Sequence, residues 1–228
     1  MEVTYSEQRW SLLKEKRNRA LEVMEALRRG GMEAIVHGSL ARGDVTSKSD
    51  IDVVIPLPIP SFKVEMALEV AGFQAMYREM VMATPSHVVK AHLHLDEETT
   101  VTFPLVEMTK LEREFYKFGG ELGLDDIKKG VRVAGVDKRL MFIQPTPKGH
   151  IEEPVKGREV EVAERLGVSV DIVLERVYVL TRRDEIGRTG VYLKRALAPG
   201  ESFEEVLRKL KDEDPATRRL LSTRKSLI

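Results

Sequence analysis

The stretch His37-Gly38-Ser39-Leu40-Ala41-Arg42-Gly43-Asp44-Val45-Thr46-Ser47-Lys48-Ser49-Asp50-Ile51-Asp52-Val53-Val54-Ile55 decides how this chain is read. An apolar run from Met32 to His37 enters a Gly-Ser pair, and after a polar spacer an Asp-x-Asp lies inside a second apolar run. Strand side chains alternate, so Asp50 and Asp52 project from one face while Ile51 takes the other. Two carboxylates held that close repel, and nothing in an ordinary strand offsets the repulsion. A hard divalent cation, Mg²⁺ or Mn²⁺, neutralises such a pair and in turn binds nucleotide phosphates. The pattern therefore predicts a small phosphate-binding turn set opposite two metal-binding carboxylates.

The same residues resemble the signature of the DNA polymerase β-like nucleotidyltransferase superfamily, a Gly-Ser, a spacer, then Asp-x-Asp within an apolar strand. Ala41-Arg42-Gly43 and Ser49-Asp50-Ile51-Asp52 are closest to its small archaeal and bacterial branch. The resemblance is dense over residues 35–55 and looser over residues 1–110. It implies an α/β (α+β) fold, a mixed sheet flanked by helices. It further implies transfer of a nucleoside monophosphate from a nucleoside triphosphate to an acceptor hydroxyl, with pyrophosphate leaving. Residue by residue, Gly38 and Ser39 would bind phosphate, and Asp50 and Asp52 would hold metal. Arg42 and Lys48 either neutralise phosphate or are solvated loop charges.

The resemblance also implies a third carboxylate, on a strand reading apolar-Asp-apolar-apolar-Pro, that helps activate the acceptor. Here that strand reads Thr100-Val101-Thr102-Phe103-Pro104, with Val101 where the aspartate belongs. Glu97, Glu98 and Glu107 are the nearby substitutes, and Glu98 needs only a shifted register or a bulge to serve. His92 and His94, two apart on the preceding strand, share a face. They either bond phosphates, supplement the metal, or are strand histidines without a role. His37 reads as structural.

Composition narrows the classes. A chain of 228 residues holds one good core and a second small domain. With 37 basic and 37 acidic side chains, no global field draws it to nucleic acid or membrane. The absence of cysteine excludes disulfides, zinc-thiolate sites and thiol nucleophiles, and fits a cytoplasmic protein. No apolar run has the length of a membrane span. Abundant Glu, Lys and Arg, with Asn18 the only asparagine, is the composition of a hyperthermophile.

Helical spacing of Trp10, Leu13, Ala20, Leu21, Met24 and Leu27 predicts a helix over 6–29, with Lys14, Lys16, Arg17 and Arg19 elsewhere around it. A helix is expected over 61–70, strands over 74–82, 88–95 and 99–106, and a helix over 110–117. A hairpin is expected from 131–134 and 139–143. Proline, glycine and polar residues over 144–150 predict a linker. The domains so drawn are 1–110, the nucleotidyltransferase core; 111–150, a helix-hairpin extension; and 151–228. In the last, helices over 158–166 and 169–183 meet at Gly167, Ser169 is a cap, and Val173, Leu174, Val177 and Leu180 line one face. Residues 187–197 are a candidate wing, so the module resembles a winged helix-turn-helix.

RNA or DNA is one partner for 151–228. Arg176, Arg182, Arg183, Arg188, Lys194, Arg195 and the tail Arg218, Arg219, Arg224 and Lys225 favour it, whereas Asp171 and Glu175 oppose it. Protein interaction is the other. Two functions thus stand: a metal-dependent nucleotidyltransferase, or an impaired one acting as a nucleic-acid-binding regulator. No exposed apolar stripe demanding a protein partner is apparent.

Overall fold

In the computed structural model, residues 1–187 and 190–226 are described; Arg188 lies outside them. Along the chain run β1 (Glu2–Thr4), α1 (Glu7–Arg29), β2 (Ile35–His37), α2 (Ser39–Arg42), β3 (Ile51–Val54), α3 (Ser61–Val70) and β4 (Tyr77–Met82). Then come β5 (Val89–His94), β6 (Thr99–Pro104), α4 (Lys110–Gly119), β7 (Glu121–Gly123), α5 (Leu124–Lys128), β8 (Gly135–Val136) and β9 (Met141–Thr146). The last are β10 (Gly149–Pro154), α6 (Glu159–Leu166), α7 (Val170–Ile186), β11 (Leu193–Ala196), α8 (Phe203–Glu213) and α9 (Pro215–Thr223). The class is the expected mixed α/β, sheets flanked by helices. Two compact units interleave along the chain. One is Met1–Glu22, Ile35–Ile51 and Lys110–Thr189; the other is Val23–Ala34, Asp52–Thr109 and Gly190–Ile228.

In the first unit, β2 pairs antiparallel with β7, with Val36 opposite Leu122. A separate sheet has the order β1-β10-β9-β8. The expected linker at 144–150 is therefore corrected: it is a hairpin, with Thr146 opposite Gly149 and Ile151 opposite Gln144. Composition could not show this, because β10 also takes β1 as its neighbour, with Val3 opposite His150, nearly the whole unit away in sequence. The preceding hairpin is shifted too. Its strands are β8 and β9, paired Gly135–Ile143 and Val136–Phe142, and 131–134 is not a strand. Phe118, Phe142, Val162, Leu166, Ile172 and Val173 form the core beneath α6 and α7.

The helix–turn–helix of α6 and α7 forms as predicted, Gly167 ending α6 in the left-handed region at φ 62°. Leu174, however, is exposed rather than on the packed face. Ser169 occupies the cap position but gives its hydroxyl to Glu114. The wing does not form among the described residues. β11 pairs instead with β4, Leu193 opposite Met82 and Ala196 opposite Glu79, a contact beyond any local signal.

The second unit carries the strand order β11-β4-β5-β6-β3. Its register separates two faces, because residues directly opposite share a side. Met80, Ala91, Leu93, Val101 and Phe103 make an apolar side that is fully buried. α8 packs there, Phe203 meeting Phe103 edge to face at 5.8 Å. Tyr77, Glu79, His92, His94, Thr100 and Thr102 make the opposite, polar side. α8 opens with a capping box, Ser202 with Glu205. Its Glu204 carboxylate accepts both the N–H and the hydroxyl of Ser61 at 2.7 Å, closing the start of α3. The helix α3 also overturns one expectation. Phe62, Met66 and Val70, at i, i+4 and i+8, are 59%, 58% and 84% exposed, an apolar stripe opposite the buried Val64 and Leu68.

Candidate active site

Gly38 holds φ 74° and ψ −136°, a conformation open only to glycine, and its N–H donates to Gly120 O at 2.9 Å. Its carbonyl accepts from Ala41 and Arg42, which starts α2. Among the described residues no side chain caps that turn, whose first N–H groups belong to Ser39 and Leu40. The Ser39 hydroxyl donates to Ser49 Oγ at 3.1 Å, and Ser49 Oγ also accepts the Thr46 N–H at 3.0 Å. The Gly-Ser turn and the loop leading to Asp50 are thereby tied together. Gly43 closes α2 at φ 94°; a Cβ there would stand 2.3 Å from Arg132 Cδ.

Three arginines fix this loop from behind. Arg42 is buried and grips Asp44 through two bonds of 3.0 Å, while its Nη1 donates to Gly119 O at 2.5 Å. The expectation that Arg42 neutralises phosphate is corrected: its guanidinium is spent inside the fold. Arg17, on α1, is also buried. It donates to Leu40 O at 3.0 and 2.9 Å and to Ala41 O at 3.2 Å. Burial, with Arg132 nearby, depresses its pKa to about 10. Arg9 donates to Val45 O at 3.0 Å and Asp44 O at 2.9 Å. Arg9 and Arg17 were the positions that sequence reasoning missed. No local signal marks an arginine that turns inward to serve backbone carbonyls. Lys48, by contrast, is exposed, with no side-chain partner among the described residues.

Asp50 is exposed just before β3 and Asp52 is half-buried within it, between the buried Ile51 and Val53. Two hard oxygen donors on alternate positions suit Mg²⁺ or Mn²⁺ in kind. Among the described residues, no three His, Asp or Glu side chains converge as a ready metal site. Glu98 is exposed in the β5–β6 turn, where its N–H and that of Thr99 donate to Asp96 Oδ1. Glu97 is exposed in the same turn, and Glu107 is exposed beyond β6. Val101 is wholly buried on the apolar side.

The two strand histidines do share a face, as predicted. His92 Nδ1 lies 2.8 Å from Thr102 Oγ1, and burial, then Lys90, push its pKa down to about 4. His94 Nε2 lies 3.1 Å from Glu79 Oε1 and its Nδ1 lies 3.0 Å from Thr100 Oγ1. His37 is structural, its Nδ1 at 3.2 Å from Tyr116 O and its ring packed against Phe115.

Several basic residues expected to face nucleic acid have partners within their own unit. Arg176 lies over the Phe115 ring at 5.1 Å, Arg195 pairs with Glu201 at 3.0 Å, and Lys194 with Glu79 at 3.3 Å. Arg224 donates to Ser86 O at 2.7 Å, and Arg218 to Lys211 O at 3.0 Å at the end of α8.

This combination of a glycine-serine turn and an Asp-x-Asp strand is that of a nucleotidyl-transferring domain. Residues 17–128 match the model of the nucleotidyltransferase domain family, so this part of the chain is a nucleotidyltransferase domain of the polymerase β-like superfamily. No curated protein and no solved structure matches the chain. Among the described residues, no helix is long and apolar enough to cross a membrane.

Proposed function

We propose that this protein is a metal-dependent nucleotidyltransferase that moves a nucleoside monophosphate from a nucleoside triphosphate to an acceptor hydroxyl, releasing pyrophosphate. The observation that carries the reading is the paired carboxylates, Asp50 and Asp52, following a Gly38-Ser39 turn whose leading N–H groups have no cap. Those N–H groups and the Ser39 hydroxyl would receive the terminal phosphates, a task for which backbone donors at a turn are well suited. Lys48 adds a free cation on the same loop. Asp50 and Asp52 would hold the divalent cation, which supplies charge neutralisation at the phosphates. The half-buried Arg9 and the buried Arg17 and Arg42 keep the loop in one conformation, so little ordering is left to the moment of binding. RNA and protein hydroxyls are both acceptors this reading admits, and the internal pairing of Arg176, Arg195 and Arg224 weighs against the regulator alternative.

Calorimetric titration with a non-hydrolysable nucleoside triphosphate, with and without Mg²⁺, tests the reading without knowledge of the acceptor. Metal-dependent binding is expected, and its loss in the Asp50→Asn/Asp52→Asn double variant. Absence of binding under every condition would overturn it.

A further inference from the structure

The second helix of the helix–turn–helix, α7, carries a face that its own unit leaves uncovered. Ile172, Val173 and Leu180 pack it into the core from one side, and Arg176 lies over the Phe115 ring at 5.1 Å. Helical geometry puts Asp171, Leu174, Tyr178 and Arg182 within roughly 80° of one another on the other side. Leu174 is 51% and Tyr178 64% exposed, and Asp171 and Arg182 are exposed with them. Among the described residues, neither Asp171 nor Arg182 forms a hydrogen bond or ion pair. The helix is thus held from behind, and its outer face is ready-made.

Isolated exposed apolar side chains are ordinary. The order of these four is not. Toward the C-terminus the face reads acid, aliphatic, aromatic, base. Leu174 and Tyr178 lie symmetrically about Arg176, and Asp171 and Arg182 flank nearly the same midpoint. The same helix turned end for end therefore offers base to acid and aromatic to aliphatic. Asp171 and Arg182 also stand on one edge of the stripe, so an antiparallel copy brings them together rather than across the seam. A phosphate backbone fits this face less well, because Asp171 sits in it and Glu175 beside it.

We propose that α7 is a self-association face, on which two copies of this chain pair antiparallel about a two-fold axis at the level of Arg176. Leu174 of one copy covers Tyr178 of the other, and Asp171 of one meets Arg182 of the other. The symmetry repeats both contacts, so each seam has two apolar and two charged pairs. The seam is only ~17 Å long, which makes the dimer a reversible one rather than an obligate one.

Sedimentation equilibrium of the full chain, without nucleotide, tests this between about 1 µM and about 1 mM, where so short a seam should titrate. The wild-type chain is expected to pass from monomer to dimer. Asp171→Arg and Arg182→Asp each set like charges against one another at both ends, and each alone is expected to weaken the dimer at least ~10-fold. An equimolar mixture of these two variants is expected to recover it, because unlike copies again bring opposite charges together at both ends. A variant that had merely lost its fold would not recover on mixing. The double variant Leu174→Ser/Tyr178→Ser is expected to stay monomeric with a wild-type urea midpoint, since both side chains are exposed. A wild-type chain monomeric throughout overturns the proposal, as does a dimer that neither charge change weakens or a mixture that fails to recover. A monomer that binds labelled RNA or DNA, and loses it with Tyr178→Ser, also overturns it and makes the face a nucleic-acid surface. None of these outcomes bears on the nucleotide site.

Discussion

The two polar clusters use similar residues in opposite ways. Around the Gly38–Ser49 loop the arginines turn inward: Arg9, Arg17 and Arg42 are bonded to backbone carbonyls or to Asp44, and in the proposed function the ligand-facing work would fall to N–H groups, hydroxyls and Lys48. On the β4–β5–β6 face the groups bond to one another, Thr100 to His94 to Glu79 and Thr102 to His92, and the side remains partly open. A buried arginine shapes a site by holding its frame. A half-buried network whose members bond one another holds its own side chains in place.

Breaking the inward pair is expected to have the largest effect on stability. Arg42 and Asp44 have side chains only 6% and 10% exposed, so Asp44→Ala strands a buried charge and should cost about 3–5 kcal/mol in urea denaturation. The double variant Arg42→Met/Asp44→Leu should recover part of that loss. If Asp44→Ala unfolds like the wild type, the loop is not held as described.

The open face should instead be sensitive to acid. His92 titrates near 4 when folded and near 6.5 as a free histidine, because burial and Lys90 disfavour its charge. Thr102 bonds it, and Glu79, His94 and Lys194 also act on it. The unfolded chain therefore binds the extra proton between those values, and stability falls as pH drops from about 6.5 to about 4. The full loss is up to about 3 kcal/mol, read as a shift in urea midpoint that His92→Gln removes.

The smallest effect belongs to Lys48. Lys48→Ala should leave stability within about 0.5 kcal/mol, since the side chain is exposed. It should weaken nucleotide binding roughly five-fold by calorimetry, the value of one solvated charge pair. Unchanged binding would place Lys48 outside the phosphate site.

Much of the fold could be read locally. The apolar spacing of α1 and α3 and the alternation of β4 to β6 come within a few residues of the observed bounds. β7 and α5 escaped notice because Glu121–Lys128 is too short and too charged to show a period. The apolar stripe on α3 escaped because Val64 and Leu68 alone satisfy the helical pattern, which hides Phe62, Met66 and Val70. In the candidate site, Gly38, Ser39, Asp50 and Asp52 could be proposed from sequence because a turn and an alternating strand are short-range objects. That Arg42 turns inward, neither toward phosphate nor into solvent, was not legible, because charge in a loop says nothing of which way a guanidinium points.

Chain chemistry alone thus establishes the Gly-Ser turn, the Asp-x-Asp strand and the succession of helices and strands around them, since each depends on neighbours a few residues apart. The pairing of β1 with β10 and of β11 with β4, the inward arginines, and the meeting of Thr100, His94 and Glu79 depend on contacts between distant segments. Such contacts form once burial of the apolar sides brings the strands together, and no local pattern encodes them.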